Sequence, residues 1–409
     1  MPFAPPSIRR REVPFRAALG PRPGLGLGVT AIFLYWLSLY LFVPVLAPQA
    51  HRLGAGVGGV GLVLGAYGFV QFLLRVPTGV WSDRLGRRRP FLLAALVACA
   101  VAAVGMALAP NPLVLGIFRG VSGLGACGWV AITLLFAEFF PPEATARAFG
   151  LVGFLSSGSQ LVGMFLGGML AQLGGYRLSF FGAAVAALVG LGAAVAVREP
   201  PQRAAGEPPA PLRLRLAVVR RPSVQVASGL AVASQFVLFV TSYGFVPFLG
   251  ATRFAAGGAA LGVLTVCAGL PQALTSLGSG VLAARLPART IALVGFLVAA
   301  GGTAALPWVP TLPALDAAAA VVGAGLGLIG PTLMTTAVRD CEPALRGSAM
   351  GFYQSIYAIG MFGGPALSGW VGTHLGMGGL FSTTAALAMV AGGLSFRLLG
   401  ARRPLRAAH

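Results

Sequence analysis

Residues 79–90 read GVWSDRLGRRRP, and residues 280–289 read GVLAARLPAR. The first stretch gathers one acid and four arginines in a chain with only 9% charged and 57% hydrophobic residues. The second is a worn copy in which Ala284 replaces the acid and Arg285 and Arg289 remain. Charge collected at one phrase, and the phrase repeated, asks for a chain that is apolar nearly everywhere else and written twice.

The composition agrees. A mean hydropathy of +0.86 over the whole chain lies far from soluble domains, where about 25% of residues are charged. Apolar runs of about 20 residues, each long enough to cross a ~30 Å hydrocarbon layer, recur from end to end. Twelve spans are expected at 25–47, 57–81, 90–109, 112–136, 148–172, 178–197, 224–249, 258–283, 289–308, 312–336, 347–371 and 376–398. The expected organisation is a tail (1–24), a six-helix half (25–197), a linker (198–222), a second six-helix half (223–398) and a short tail (399–409). The linker, rich in proline and arginine and without an apolar period, reads as flexible. Residues 1–24 show no apolar core with a cleavage site, so no signal peptide is expected.

A net charge of +20 raises the question of nucleic acid, and the distribution of charge answers it. All 29 basic residues are arginine, and 24 of them fall in the two tails and in alternate loops. The opposite loops hold only Arg52, Arg177 and Arg253, while Arg75 and Arg119 fall inside spans. This bias is the positive-inside pattern, which puts both termini in the cytoplasm of a multi-pass protein of the cell (inner) membrane. No nucleic-acid partner is expected. Cys99, Cys127, Cys267 and Cys341 are scattered, and with three histidines and nine acids no metal site or cofactor is expected.

The doubling extends beyond the opening phrase. YLFVPVL at 40–46 is echoed by YGFVPFL at 243–249. Gly61, Gly68, Gln71 and Gly79 return as Gly262, Gly269, Gln272 and Gly280; Gly123, Gly125 and Gly128 return as Gly325, Gly327 and Gly330; Glu138 returns as Asp340. Offsets of 201 to 203 in the same order describe two like-oriented halves about an axis along the membrane normal. Such a body rocks one half against the other around a site between them. The expected fold is an all-α membrane protein with twelve transmembrane helices in two pseudo-symmetric six-helix halves.

At these residues the chain resembles the major facilitator superfamily over nearly its whole length. GVWSDRLGRRR is similar to that family's signature between spans two and three: Gly, three residues, Asp-Arg, one residue, Gly-Arg-Arg. The resemblance implies a gating set of Gly79, Asp83, Arg84, Gly86, Arg87 and Arg88. In it Gly79 admits a close helix contact, Asp83 caps or pairs across the two halves, and the arginines hold the cytoplasmic gate. Asp83 can accept hydrogen bonds from a helix N-terminus or from Arg87, four residues on. The plainer reading is a charged stop signal that only fixes orientation.

Span four carries LGIFRGVSGLGACG at 115–128, which resembles the family's motif of an arginine followed by glycines. Its literal GxGxxG lacks the preceding strand of a nucleotide site. Gly123 and Gly125 serve helix packing instead. Arg119 costs at least ~2.5 kcal/mol within a span and so is expected to face a cavity with a partner or ligand, unless it snorkels to the membrane surface. Arg75 lies two helical turns before Asp83 and has the same two readings. Span five is similar to the antiporter motif of the efflux branches at Gly150, Gly163, Gly167 and Gly168, with Ser159 and Met164 in place of a glycine and the proline. Span eleven fits that motif better, at Gly351, Gly360, Gly364, Pro365 and Gly369, with Ser368 in place of a glycine.

Candidates for the binding site are polar or aromatic residues on otherwise apolar spans: Trp36 and Tyr40; Gln235, Phe239 and Tyr243; and Tyr353 and Tyr357, each set spaced by four on one helix face. Ordinary aromatic packing is the alternative for each. The resemblance implies a secondary active transporter of a small organic molecule by alternating access, an exporter of the drug-antiporter type. Proton coupling would fall to Glu138 or Asp316, since no carboxylate stands mid-span. An arginine-lined cavity without carboxylates suits an anionic, zwitterionic or neutral amphiphilic solute. The alternatives are an uncoupled facilitator or importer of such a solute, a channel, and a membrane enzyme or receptor. No catalytic motif supports an enzyme, and no filter-like loop a channel. With both halves in one chain, the monomer is expected to act alone in the bilayer.

Overall fold

The computed structural model describes residues 24–85, 87–140, 145–197, 212–342 and 345–400. Gly86 and the side chain of Asp83 lie outside the described residues, as do most of both tails and of the linker. Every described span is helical, and no strand occurs among the described residues. Apolar runs in a bilayer must satisfy each backbone N–H and C=O internally, which leaves helices for an open chain.

Several spans follow the expected limits closely. Span two is Val57–Leu85, span three Arg89–Leu108, span five Thr145–Gly174, span six Tyr176–Ala196, span eight Gly258–Ala283 and span ten Leu312–Arg339. Span nine, Ala288–Ala305, ends in a single 3₁₀ turn at Leu306–Trp308. Three spans are not the single helices expected. Span one divides into Leu25–Tyr40 and Val43–Arg52, and span four into Pro112–Cys127 and Trp129–Ala137. Span seven runs as Pro222–Val240, a π-turn at Thr241–Phe245, and Val246–Arg253.

Spans eleven and twelve follow one another within Arg346–Leu398, broken only at Gly376, whose φ of 68° is left-handed. Its counterpart Gly175, with φ 74°, makes the same turn between spans five and six. With φ positive and ψ near 180°, both turns occupy a region that only glycine adopts without strain. The linker departs from expectation too. Leu212–Val219 forms a short helix, and Val218 is buried with Val224, Cys341, Leu345 and Ala349.

The halves meet along two seams, span two against span eleven and span five against span eight. Small residues set the distance. A Cβ at Gly168 would stand 2.5 Å from Gly262 Cα, and one at Gly369 would stand 3.0 Å from Gly61 Cα. The Gly58 amide donates to Thr373 Oγ1 at 3.1 Å across the first seam. All these contacts lie toward the side away from the 82–89 and 284–289 loops. Toward the loop side, Gly79, Gly150, Gly278, Gly280 and Gly351 have open space where a Cβ would stand. Among these glycines, the close contacts between the halves therefore lie on the arginine-poor side.

Candidate functional site

The echoed stretches YLFVPVL and YGFVPFL are where spans one and seven break. Pro44 and Pro247 carry no N–H for the carbonyls of Tyr40 and Tyr243, four residues earlier, and their rings crowd those carbonyls. Span one answers with a non-helical step at Leu41–Phe42. Span seven answers with the π-turn, in which a Cβ on Gly244 would stand 2.5 Å from the Phe239 carbonyl oxygen. Both breaks occur at the middle of the membrane-crossing body and set one tyrosine from each half facing the other.

These residues build an aromatic cage. Tyr40 and Tyr243 meet edge to face with ring centroids 5.5 Å apart. Phe239 lies 5.3 Å from Tyr243 and stacks on Tyr67 of span two at 5.9 Å. Trp36 touches Tyr40 at 5.7 Å and Trp129 at 4.8 Å. Arg119 enters from span four, 4% exposed, its guanidinium carbon 4.2 Å from the Tyr67 ring centre and 5.4 Å from that of Phe42. Its Nη1 donates to Ser122 Oγ at 3.3 Å, while Nε is buried without a partner. The ring faces supply negative potential to the cation. No described carboxylate lies within ion-pair distance of it. The cage closes on a cavity of about 10 Å³ of space for water centres, lined by Leu39, Tyr40, Val43, Tyr67, Arg119, Phe239 and Tyr243. That is room for about one water.

A second cluster lies on the seam between spans two and eleven. Arg75 is 5% exposed and does not reach the membrane surface. Its Nη1 donates to Tyr357 Oη at 3.1 Å, and Tyr357 meets Tyr353 edge to face at 5.5 Å. Gln71, one turn before Arg75, points its amide at Met361 Sδ, 3.9 Å away. Tyr67, Gln71 and Arg75 follow at four-residue spacing on one face of span two, so the two clusters adjoin.

Of the remaining candidates, Gln235 lies one turn before Phe239 on span seven, and Asp316 lies at the start of span ten. Gln235 Oε1 and Asp316 Oδ1 are each buried without a partner. Glu138 forms an ion pair with Arg88 at 2.9 Å, tying the signature loop to the end of span four. Arg84 and Arg87 are exposed. The packing glycines divide by role: Gly163 and Gly167 pack on span one, Gly360 and Gly364 on span seven, Gly123 on span two and Gly125 on span three, while Gly168 and Pro365 cross to the other half. Gly150 packs on nothing. Sequence reasoning passed over Phe42, Tyr67, Ser122 and Trp129, whose apolar surroundings carry no local signal. It also left out Gln71 as a site residue, although the repeat had marked it.

The comparisons with known proteins agree with this architecture. The family model for the Major Facilitator Superfamily matches residues 28–251 and 231–409. The tetracycline resistance protein of class G from Vibrio anguillarum is 29% identical over 366 residues, covering 85% of this chain and 88% of that one. The class E protein from Escherichia coli is 29% identical over 284 residues, covering 66% and 69%. The quinolone resistance protein NorA of Staphylococcus aureus is 26% identical over 171 residues, 41% of this chain and 44% of that one. Among solved structures, the nucleoside transporter NupG superposes with a TM-score of 0.77 at 12% identity, over 93% of this chain and all of that one (100%). The D-xylose–proton symporter gives 0.74 at 14%, over 92% and 97%. With the doubled six-span halves and the signature loop already in view, these matches identify a multi-pass membrane transporter rather than an enzyme: the chain belongs to the Major Facilitator Superfamily.

Proposed function

We propose that this chain exports a small organic anion or zwitterion by alternating access, holding its acid group at Arg119 within the cage of Tyr40, Tyr67, Phe239 and Tyr243. The observation that carries the reading is Arg119 itself, a buried guanidinium with an unpartnered Nε and no described carboxylate beside it. A charge so placed is costly unless a ligand or cavity compensates it. The site lies where one tyrosine from each half meets, so rocking the halves parts the cage. The resistance proteins of tetracycline and quinolone type among its relatives favour export.

The arginine bias supports a bacterial inner-membrane topology with both termini in the cytoplasm. On that topology the close glycine contacts between the halves lie on the outer side, which supports loading from the cytoplasm, as an exporter requires. One chain carries both halves of the cage, which supports a monomeric transport unit. Asp316 favours one further element of the reading, coupling to protons, because its Oδ1 is buried without a partner.

The test is thermal unfolding of the purified protein in detergent, with benzoate, a neutral zwitterion such as phenylalanine, and tetraphenylphosphonium, on wild type and Arg119→Gln. A ligand that binds the folded state raises its stability by mass action. Stabilisation by benzoate or phenylalanine that disappears in the variant supports the reading. Stabilisation by the cation alone, unchanged in the variant, overturns it. Counterflow in liposomes with and without a pH gradient then tests coupling: rates indifferent to the gradient remove Asp316 from the mechanism.

A further inference from the structure

The two seams between the halves are equivalent by sequence and opposite in chemistry. Gln71 and Arg75 of span two correspond to Gln272 and Ser276 of span eight, and Arg119 of span four corresponds to Val321 of span ten. The span two side therefore presents guanidinium and phenol groups. At the three equivalent positions the span eight side presents only neutral ones.

The span eight side also holds a polar hollow. A crevice with about 160 Å³ of space for water centres runs between spans five, eight and ten, and its polar lining is Ser157, Gln160, Tyr243, Gln272 and Ser276. Among the described residues, no charged one lines it. Gln160 comes from one half and Gln272 from the other, both half-buried, and neither carboxamide has a hydrogen-bond partner among the described residues. The wall behind Gln272 is fixed, because Thr275 Oγ1 lies 2.9 Å from the Ala324 carbonyl oxygen and binds span eight to span ten. Tyr243 lines both this crevice and the Arg119 cage. The two therefore adjoin at the Tyr243 ring.

A carboxamide offers two donors and an acceptor, which suits a hydroxyl or amide group. It offers no compensating charge, so an ion entering here would lose hydration without replacing it. We propose that the crevice is a second, neutral subsite, in which Gln160 and Gln272 hydrogen-bond a hydroxyl or amide at the end of the solute remote from its acid group. This deepens the transport reading above and rests on it. The transported class is an aromatic acid with a neutral hydrogen-bonding tail.

The test uses equilibrium binding by titration calorimetry on the full chain in detergent, with 3-(4-hydroxyphenyl)propionate, 3-(4-methylphenyl)propionate and 3-(4-hydroxyphenyl)propionamide. The first two differ by hydroxyl against methyl, and the third lacks the acid. Wild type is expected to bind the hydroxyl acid about tenfold more tightly than the methyl acid, because the methyl leaves the amides unmatched. Gln272→Leu and Gln160→Leu, each checked for wild-type melting temperature, are expected to abolish that preference by weakening the hydroxyl acid alone. Arg119→Gln is expected to weaken both acids and spare the propionamide. Equal affinities in wild type, or a Gln272→Leu loss shared by both acids, overturn the subsite, as does failure of all three to bind. If the acids fail while the propionamide binds and is lost in Gln272→Leu, the neutral subsite stands and the acid reading of Arg119 falls.

Discussion

Tyr40 and Tyr243 occupy equivalent places in the two halves and meet at the centre of the molecule with ring planes at 78°. Each stands four residues before a proline, so the device that breaks the helix also presents the ring. Edge-to-face pairs contribute about 0.5–1.5 kcal/mol beyond the area they bury. Tyr243→Phe keeps that contact, and Tyr243→Ala removes it. Binding of a stabilising solute is expected to stay within about twofold in the first variant and to weaken about tenfold in the second. A tenfold loss already in Tyr243→Phe would assign the effect to the hydroxyl rather than the ring.

Pro247→Ala returns an N–H to span seven and allows the π-turn to relax to α-helix. Removing one residue's worth of bulge turns the preceding segment by about 100° relative to the following one, which carries Tyr243 off Tyr40. Counterflow in liposomes is expected to fall more than tenfold while the melting temperature holds or rises. Wild-type counterflow in this variant would show that the π-turn plays no part in transport.

Gly168 has no room for a side chain, because a Cβ there would stand 2.6 Å from the Gly258 carbonyl oxygen and closer still to Gly262. Gly168→Val is therefore expected to hold the arginine-poor side open. Ala171→Cys, at a position 6% exposed against Gly258 on this seam, in a background with the four native cysteines replaced by serine, reads this out. Its labelling rate by an impermeant maleimide added on that side should rise several-fold over the same reporter with Gly168 intact. An unchanged rate would mean that the seam re-forms around valine.

The Arg88–Glu138 pair is partly exposed, with side chains 26% and 24% accessible, so it is expected to contribute only ~0–1 kcal/mol. Among the described residues, the equivalent Arg289 and Asp340 form no ion pair with each other. Arg289 instead lies 4.9 Å from the Phe396 ring, and Asp340 pairs with its neighbour Arg339 at 3.4 Å. Double-mutant cycles on thermal unfolding should give a coupling of about 0.5 kcal/mol for Arg88 with Glu138 and none for Arg289 with Asp340. Equal couplings would contradict the asymmetry between the halves.

Much of this molecule was legible before any tertiary contact was known. Apolar runs of membrane length and arginines on alternate loops read out the twelve spans and the expected orientation, because a bilayer imposes length and charge rules on each segment separately. The echo of YLFVPVL and of the glycine rows read out the two halves. It also pointed, without saying why, at the places where spans one and seven break.

What the sequence left undecided depends on which helix faces come together. Arg75 and Arg119 had the same two readings by position, snorkelling or buried. Only packing placed Arg119 against Tyr67 and Phe42, and Arg75 against Tyr357. Tyr67 carried no signal because an aromatic residue in an apolar helix looks like any other core residue. Which glycines meet the other half was likewise invisible, since glycines recur along the whole of both seams and only some of them touch it. Gln71 and Gln272 show the division plainly. The sequence by itself determined that they are equivalent, because repeats survive in the order of residues. Only the tertiary structure decided that one meets a methionine beside an arginine and the other faces an uncharged crevice, because a side chain's chemistry is completed by neighbours from other helices.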